Sequence, residues 1–412
     1  MNVKITPHNI IGAVVAPASK SYAHRLIIAA FLSGKRTKIA GVGQSKDVLA
    51  TLTALEAMGA KYTLLGSDVE IERKDLPSGQ ITANCLESGS TLRFLFPVAA
   101  ALGLDVEFTG SERLMQRPMD ALATCLGKHG VNVCGHRVSG KLKPGLYDID
   151  ASVSSQFITG LLLALPLLEN SSQIFLRGQA VSRGYLDITV DAIKAFGIRV
   201  DKTDYGYFVF GNQQYETDKV LTVEGDWSGA AFMITAGALG GPVWINGLNP
   251  DSKQGDKEIV DVACAMGARV GWHNGIFYLQ KSNLNAIEWD CENIPDLVQP
   301  ISVLCAFANG NSVLKNVDRL REKESDRIEA VLLMLQKAGI KAHYDGGNIY
   351  IEGGRPSGAT FDGGNDHRTV MSQAVLASFS TGESTILGAE AINKSYPDFF
   401  KDLSDMGGRV DG

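Results

Sequence analysis

AIKAFGIRV, residues 192–200, reads as the end of an amphipathic helix that closes on Gly197 and runs on into an alternating apolar stretch. Five further segments share the layout: LTALEAMGA (52–60), LATCLGKHGV (122–131), VACAMGARV (262–270), LLMLQKAGI (332–340) and FKDLSDMGGRV (400–410). Their glycines, Gly59, Gly130, Gly197, Gly267, Gly339 and Gly407, lie 67 to 72 residues apart. Glycine suits the position after a helix C-terminus, where left-handed dihedrals cost it little.

A second series keeps the same step. RLIIAAFLSG, RFLFPVAAALG, FITGLLLALPLLEN, AAFMITAGALGG, PISVLCAFANG and VMSQAVLASFSTG close on Gly34, Gly103, Asn170, Gly240, Gly310 and Gly382. Two series in register imply six copies of about 70 residues that account for the chain. Each copy reads as strand, apolar helix, strand, amphipathic helix and a strand pair, an α/β pattern. The first helix of each copy is apolar nearly all round, so other elements should enclose it.

Polar groups precede all six apolar helices: Ser19-Lys20-Ser21, Ser88-Gly89-Ser90, Ser154-Ser155-Gln156, Asp226-Trp227-Ser228, Pro295-Asp296 and Asp366-His367-Arg368. The plain reading is a set of N-caps. Six helix N-termini in related positions would also favour anions, through exposed N–H groups and the helix dipole.

Composition limits what such a site serves. Lys plus Arg total 39 and Asp plus Glu 45, a net charge of −6, so nothing global recruits nucleic acid or an anionic membrane. The richest apolar stretch, Phe157 to Leu168, is too short to cross a bilayer, and the start shows no signal-peptide pattern. Six cysteines without a CxxC pair read as buried free thiols in a reducing cytoplasm, and the histidines show no metal-ligand spacing. GAVVAPASKS lacks P-loop glycine spacing, and GVGQSK lacks the third glycine of a dinucleotide fingerprint.

Several basic and hydroxyl segments remain. Taken singly they are bland: Arg319 to Arg327 as a solvated helix face, Arg117-Pro118 as a helix start, His24 as a packed core histidine. Jointly and in order, they resemble the EPSP synthase (3-phosphoshikimate 1-carboxyvinyltransferase) family. The matches are Ser19-Lys20-Ser21 with Arg25, Gly89 to Arg93, Arg117-Pro118, Ser152 to Gln156, and Val181-Ser182 with Tyr185 and Asp187. They continue through Pro295-Asp296, Lys323-Glu324 with Asp326-Arg327, and Asp366-His367-Arg368 to Lys394 before Pro397-Asp398.

The resemblance implies two similar inside-out α/β domains, each of three βαβαββ repeats with buried parallel helices and a cleft between them. Residues 18–222 would form the shikimate 3-phosphate side, and 1–17 with 223–412 the phosphoenolpyruvate side. The implied reaction moves the carboxyvinyl group of phosphoenolpyruvate to the 5-hydroxyl of shikimate 3-phosphate by addition and elimination. The substrates bring roughly six negative charges, which Lys20, Arg25, Arg117, Arg327, Arg368 and Lys394 would offset.

By the same resemblance, Lys20, Ser21, Arg25, Ser154, Ser155, Gln156, Ser182, Tyr185, Asp296 and Lys323 bind shikimate 3-phosphate. Lys20, Gly89, Arg117, Gln156, Arg327, Arg368 and Lys394 bind phosphoenolpyruvate. Asp296, Glu324 and Lys20 are the proton-transfer candidates. No cofactor or metal is implied, and a cytoplasmic monomer without nucleic-acid or membrane partners is expected. Glu87-Ser88-Gly89-Ser90, Phe94 and Arg319 depart from the commonest family pattern, which puts sensitivity to the phosphonate inhibitor glyphosate in doubt. The rival readings are the UDP-N-acetylglucosamine enolpyruvyl transferase, marked by a reactive loop cysteine, and a non-catalytic anion-binding repeat protein.

Overall fold

A computed structural model describes residues 1–178 and 183–412. The chain divides into two compact units, one of Ala18–Glu224 and one of Met1–Pro17 with Gly225–Gly412. Each holds three four-stranded sheets of one topology. In the repeat that begins at Gln80–Asn84, that strand pairs parallel with Asp105–Thr109. The latter pairs antiparallel with Arg137–Gly140, which pairs antiparallel with Val131–Cys134. The helices Gly89–Ala101 and Asp120–Gly127 occupy the two crossovers, giving βαβαββ.

The six copies are not all continuous in the chain. The first copy in Ala18–Glu224 receives its opening strand from Leu221–Thr222, which pairs parallel with Thr37–Ala40. In the other unit Gly12–Val15 opens one sheet beside Val243–Asn246. Asn2–Thr6 completes another sheet by inserting between Ser384–Leu387 and Arg409–Asp411. The opening seventeen residues thus serve two sheets made mostly of residues beyond 240.

The first helices of the copies are Lys20–Ser33, Gly89–Ala101, Ser155–Ala164, Trp227–Leu239, Val298–Ala306 and His367–Phe379. All are enclosed; every residue of Trp227–Leu239 is buried. Close approach explains one interior glycine. A Cβ on Gly160 would stand 2.6 Å from the Arg93 carbonyl oxygen, so helix Ser155–Ala164 meets helix Gly89–Ala101 with no side chain between them.

All six glycines of the opening series have left-handed φ, from +77° to +102°. The other series is less uniform. Gly34, Gly103, Gly310 and Gly382 have positive φ, whereas Gly240 caps its helix at −114°. Helix Ser155–Ala164 instead passes into a 3-10 turn, Leu165–Leu167, before Asn170. Cys85, Cys125, Cys291 and Cys305 are buried and free. Cys134 and Cys264 are free but exposed, contrary to burial of the whole set. No helix among the described residues is long and apolar enough to cross a membrane.

Candidate active site

Five of the six apolar helices begin with the caps their sequences advertise. Ser19, Ser88, Ser154, Asp226 and Asp366 each accept from a backbone N–H in the first turn. The exception is Val298–Ala306, which follows the 3-10 turn Pro295–Leu297 and has no side-chain cap. Asp296 therefore spends its carboxylate elsewhere. Its Oδ1 accepts from Arg327 at 2.7 Å and its Oδ2 from Arg368 at 2.9 Å, with Lys323 Nζ 3.8 Å from Oδ1.

Arg327 is 1% exposed and shared among three carboxylates. Its Nε donates to Asp366 at 2.8 Å, one terminal nitrogen to Asp296, and the other to Glu324 at 2.7 Å. Burial alone would discourage its charge, but Asp366, Glu324 and Asp296 outweigh that and hold it firmly protonated. Asp366 caps its own helix through Arg368 N and also accepts from Ser325 Oγ at 3.0 Å, so one buried carboxylate holds the Arg368 backbone and the Arg327 side chain. Burial lowers the Lys323 ammonium to about 8 against the pull of Asp296. Lys394 is buried and donates to the Asn365 carbonyl at 2.6 Å, immediately before Asp366. Lys323, Glu324, Asp296, Arg327 and Arg368 thus form one cluster, with Lys394 beside its supporting loop.

Sequence gave no sign of Asp256, which belongs to the same surroundings. It is 4% exposed and accepts from Ser228 Oγ on the first turn of Trp227–Leu239. Burial, then the charge of Asp296, pushes its carboxyl up to about 7 despite the opposing Arg368. A carboxyl whose folded value is raised stabilises most below its unfolded value, and that contribution is lost as pH rises through the folded value. Asp256→Asn should therefore melt at or below the wild-type temperature at pH 5 and above it at pH 8. Melting differences that do not change with pH would contradict this placement.

The unit Ala18–Glu224 carries a second cluster. Lys20 Nζ lies 2.8 Å from Asp47 Oδ2, both side chains mostly buried. Gly89 is helical, so its backbone does not require glycine; space does. A Cβ there would stand 2.5 Å from the near terminal nitrogen of Arg117. Arg117 lies between helices Glu112–Met115 and Asp120–Gly127 rather than at a helix start. Its Nε is buried with no hydrogen-bond partner among the described residues. Gln156 donates to Ser90 Oγ at 3.0 Å and accepts from Arg93 at 2.8 Å, so Arg93, outside the expected set, orients it. Ser154 caps helix Ser155–Ala164, and both serines are buried.

Arg25 lies deeper than a surface anion contact. It is 2% exposed and donates to Thr189, Thr159 and the carbonyls of Ser21 and Tyr185. This ties Ser21 and Tyr185 to one guanidinium. Thr159 interrupts an otherwise apolar run, the one hint of this in the sequence. Ser182 lies outside the described residues. No group of three or more His, Cys, Asp or Glu side chains is arranged for a metal among the described residues.

Residues 5–403 match the family model for EPSP synthase (3-phosphoshikimate 1-carboxyvinyltransferase). The chain belongs to the EPSP synthase family. The 3-phosphoshikimate 1-carboxyvinyltransferase of Clostridium novyi is 37% identical, covering 100% of this chain and 98% of that one. The enzyme of the same name from Methanocella arvoryzae is 35% identical with full coverage of both. The EPSP synthase structure from Acinetobacter baumannii matches the fold with a TM-score of 0.84 at 24% identity over both whole chains. The enolpyruvyl transferase NikO from Streptomyces tendae has the same fold at TM-score 0.80, 16% identity, 100% of this chain and 98% of that one. As an EPSP synthase family member, the chain is a carboxyvinyl transferase of aromatic amino acid biosynthesis. The UDP-sugar rival expects a reactive cysteine in a loop; Cys125 instead is buried in a helix, and burial pushes its thiol up to about 11.

Proposed function

We propose that this chain joins phosphoenolpyruvate to the 5-hydroxyl of shikimate 3-phosphate through the residues placed above. In the addition, the hydroxyl oxygen bonds to C2 of phosphoenolpyruvate, loses its proton to a base, and C3 gains a proton. In the elimination, C3 returns a proton and the C2–O bond to phosphate breaks, leaving the enol ether and inorganic phosphate. Asp296 takes or orients the hydroxyl proton, and Glu324 and Lys20 serve the methylene carbon and the leaving phosphate.

The observation that supports these roles is the release of Asp296 from capping and its grip on Arg327 and Arg368. Two planar guanidiniums suit bidentate capture of the phosphoenolpyruvate carboxylate. Asp296 at both guanidiniums and Glu324 at Arg327 offer proton acceptors next to where that carboxylate would sit. Gly89, Arg117 and Lys394 take the phosphoenolpyruvate phosphate, and the missing Cβ at Gly89 lets the Arg117 guanidinium lie against that helix start. Ser154, Ser155 and Ser182 take the shikimate phosphate. Arg25 and Ser21 take its carboxylate, and Gln156, Tyr185 and Lys323 seat the ring. The working form in this reading is a cytoplasmic monomer that uses no cofactor and binds neither nucleic acid nor membrane.

The test is phosphate release with each substrate omitted in turn, with and without a chelator. Release should require both substrates and ignore the chelator. Release with UDP-N-acetylglucosamine in place of shikimate 3-phosphate, or none with both substrates, would reject the reading.

A further inference from the structure

His24 is a buried histidine for which the reaction has no use, yet it starts a continuous chain of hydrogen bonds. Its Nδ1 lies 2.6 Å from Thr51 Oγ1, which lies 2.7 Å from Thr91 Oγ1, which donates to Ser88 Oγ at 2.7 Å. All four residues are at most 1% exposed. Each hydroxyl has one proton to give. Thr91 spends its proton on Ser88, so Thr51 must donate to Thr91, and His24 must donate to Thr51 from Nδ1. His24 Nε2 is then a bare lone pair, and that atom is indeed buried without a partner among the described residues. Burial, with Lys20 and Arg25 adding positive charge nearby, holds the ring neutral, as this tautomer requires.

The chain joins three helices at matched heights. Lys20 and His24 stand one turn apart on Lys20–Ser33, and Asp47 and Thr51 one turn apart on Lys46–Ala57. Lys20 pairs with Asp47 as His24 pairs with Thr51. The far end, Ser88, caps the helix that begins with Gly89 and accepts from Thr91 N.

We propose that His24, Thr51, Thr91 and Ser88 form a one-directional positioning relay that fixes Lys20 relative to Gly89, and through it the phosphoenolpyruvate phosphate site. The inference rests on the function proposed above. His24 is a positioning residue and exchanges no proton with substrate.

Thr51→Val keeps the shape of the side chain and removes the link. It should raise the phosphoenolpyruvate KM about tenfold, the binding equivalent of about 1.4 kcal/mol. The shikimate 3-phosphate KM should rise clearly less, because Lys20 serves both substrates but Gly89 only phosphoenolpyruvate, and Thr51→Ser should restore wild-type values within about twofold. Thr91→Val, which breaks the next link, should give the same split and serves if Thr51→Val does not fold. Equal rises in both KM values, or none in either folded variant, overturn the proposal. Imidazole 15N NMR of the wild type should show neutral His24 protonated at Nδ1, and an Nε2–H tautomer overturns the relay without reference to substrates. An inactive wild type would sink the functional reading instead, and the tautomer would still decide the relay.

Discussion

Asp296→Asn is expected to lower kcat by about 10²–10⁴-fold, the usual range for removing a general acid or base, while the phosphoenolpyruvate KM holds steady or falls. The amide is nearly isosteric and keeps one oxygen to accept from the arginines. Arg327 retains Asp366 and Glu324 at 2.8 and 2.7 Å, so its buried charge stays compensated. That matters because stripping a buried ion of its partners costs about 3–5 kcal/mol. Arg368, by contrast, loses the negative charge that competes with an incoming carboxylate, which is why affinity should hold or improve. A role limited to charge balance would give the tighter binding without the slower turnover. Steady-state kinetics on protein with an unchanged melting curve separates the two, and a kcat within threefold of wild type would falsify proton transfer by Asp296.

Gly89→Ala should act almost wholly on phosphoenolpyruvate. The added methyl would stand 2.5 Å from one Arg117 nitrogen and 3.1 Å from its central guanidinium carbon. The obstacle is the far end of a flexible side chain, so the chain folds and the guanidinium swings aside. Losing one charge-assisted contact of about 1.5–3 kcal/mol corresponds to a KM about 10–100-fold higher. The shikimate 3-phosphate KM and the melting temperature should scarcely change, because the helix conformation at this position suits alanine. A KM for phosphoenolpyruvate equal to that of wild type would mean that Arg117 does not serve that substrate.

What the sequence disclosed follows from which constraints are local. The six helix-ending glycines could be read because a left-handed residue after a helix has few substitutes, and every one is left-handed. Caps are equally local, and five of six could be read. Asp296 could be picked out as functional only through family resemblance; that it alone does not cap appears once the backbone is placed. The charged run from Arg319 to Arg327 shows the limit of composition. Arg321 stays half exposed and pairs with Asp326, while Arg327 turns fully inward. Partners distant in sequence were nearly silent: Thr159 and Thr189 stand 134 and 164 residues from Arg25, and only the polar break that Thr159 makes in an apolar run hints at a buried contact. Asp256 was silent for the same reason, because its burial comes from the helix start it latches onto.

The sharing of strands between distant parts of the chain also sets an order of events at the ribosome. Ala18–Glu224 contains every strand of its own three sheets, so it has all its partners once residue 224 has emerged. Asn2–Thr6 has none until residues 384–411 exist. At roughly 5–20 residues per second the earliest-made strand waits on the order of tens of seconds. Throughout that interval it is a hydrogen-bonding edge without a mate, tethered to a half-molecule that has every partner it needs.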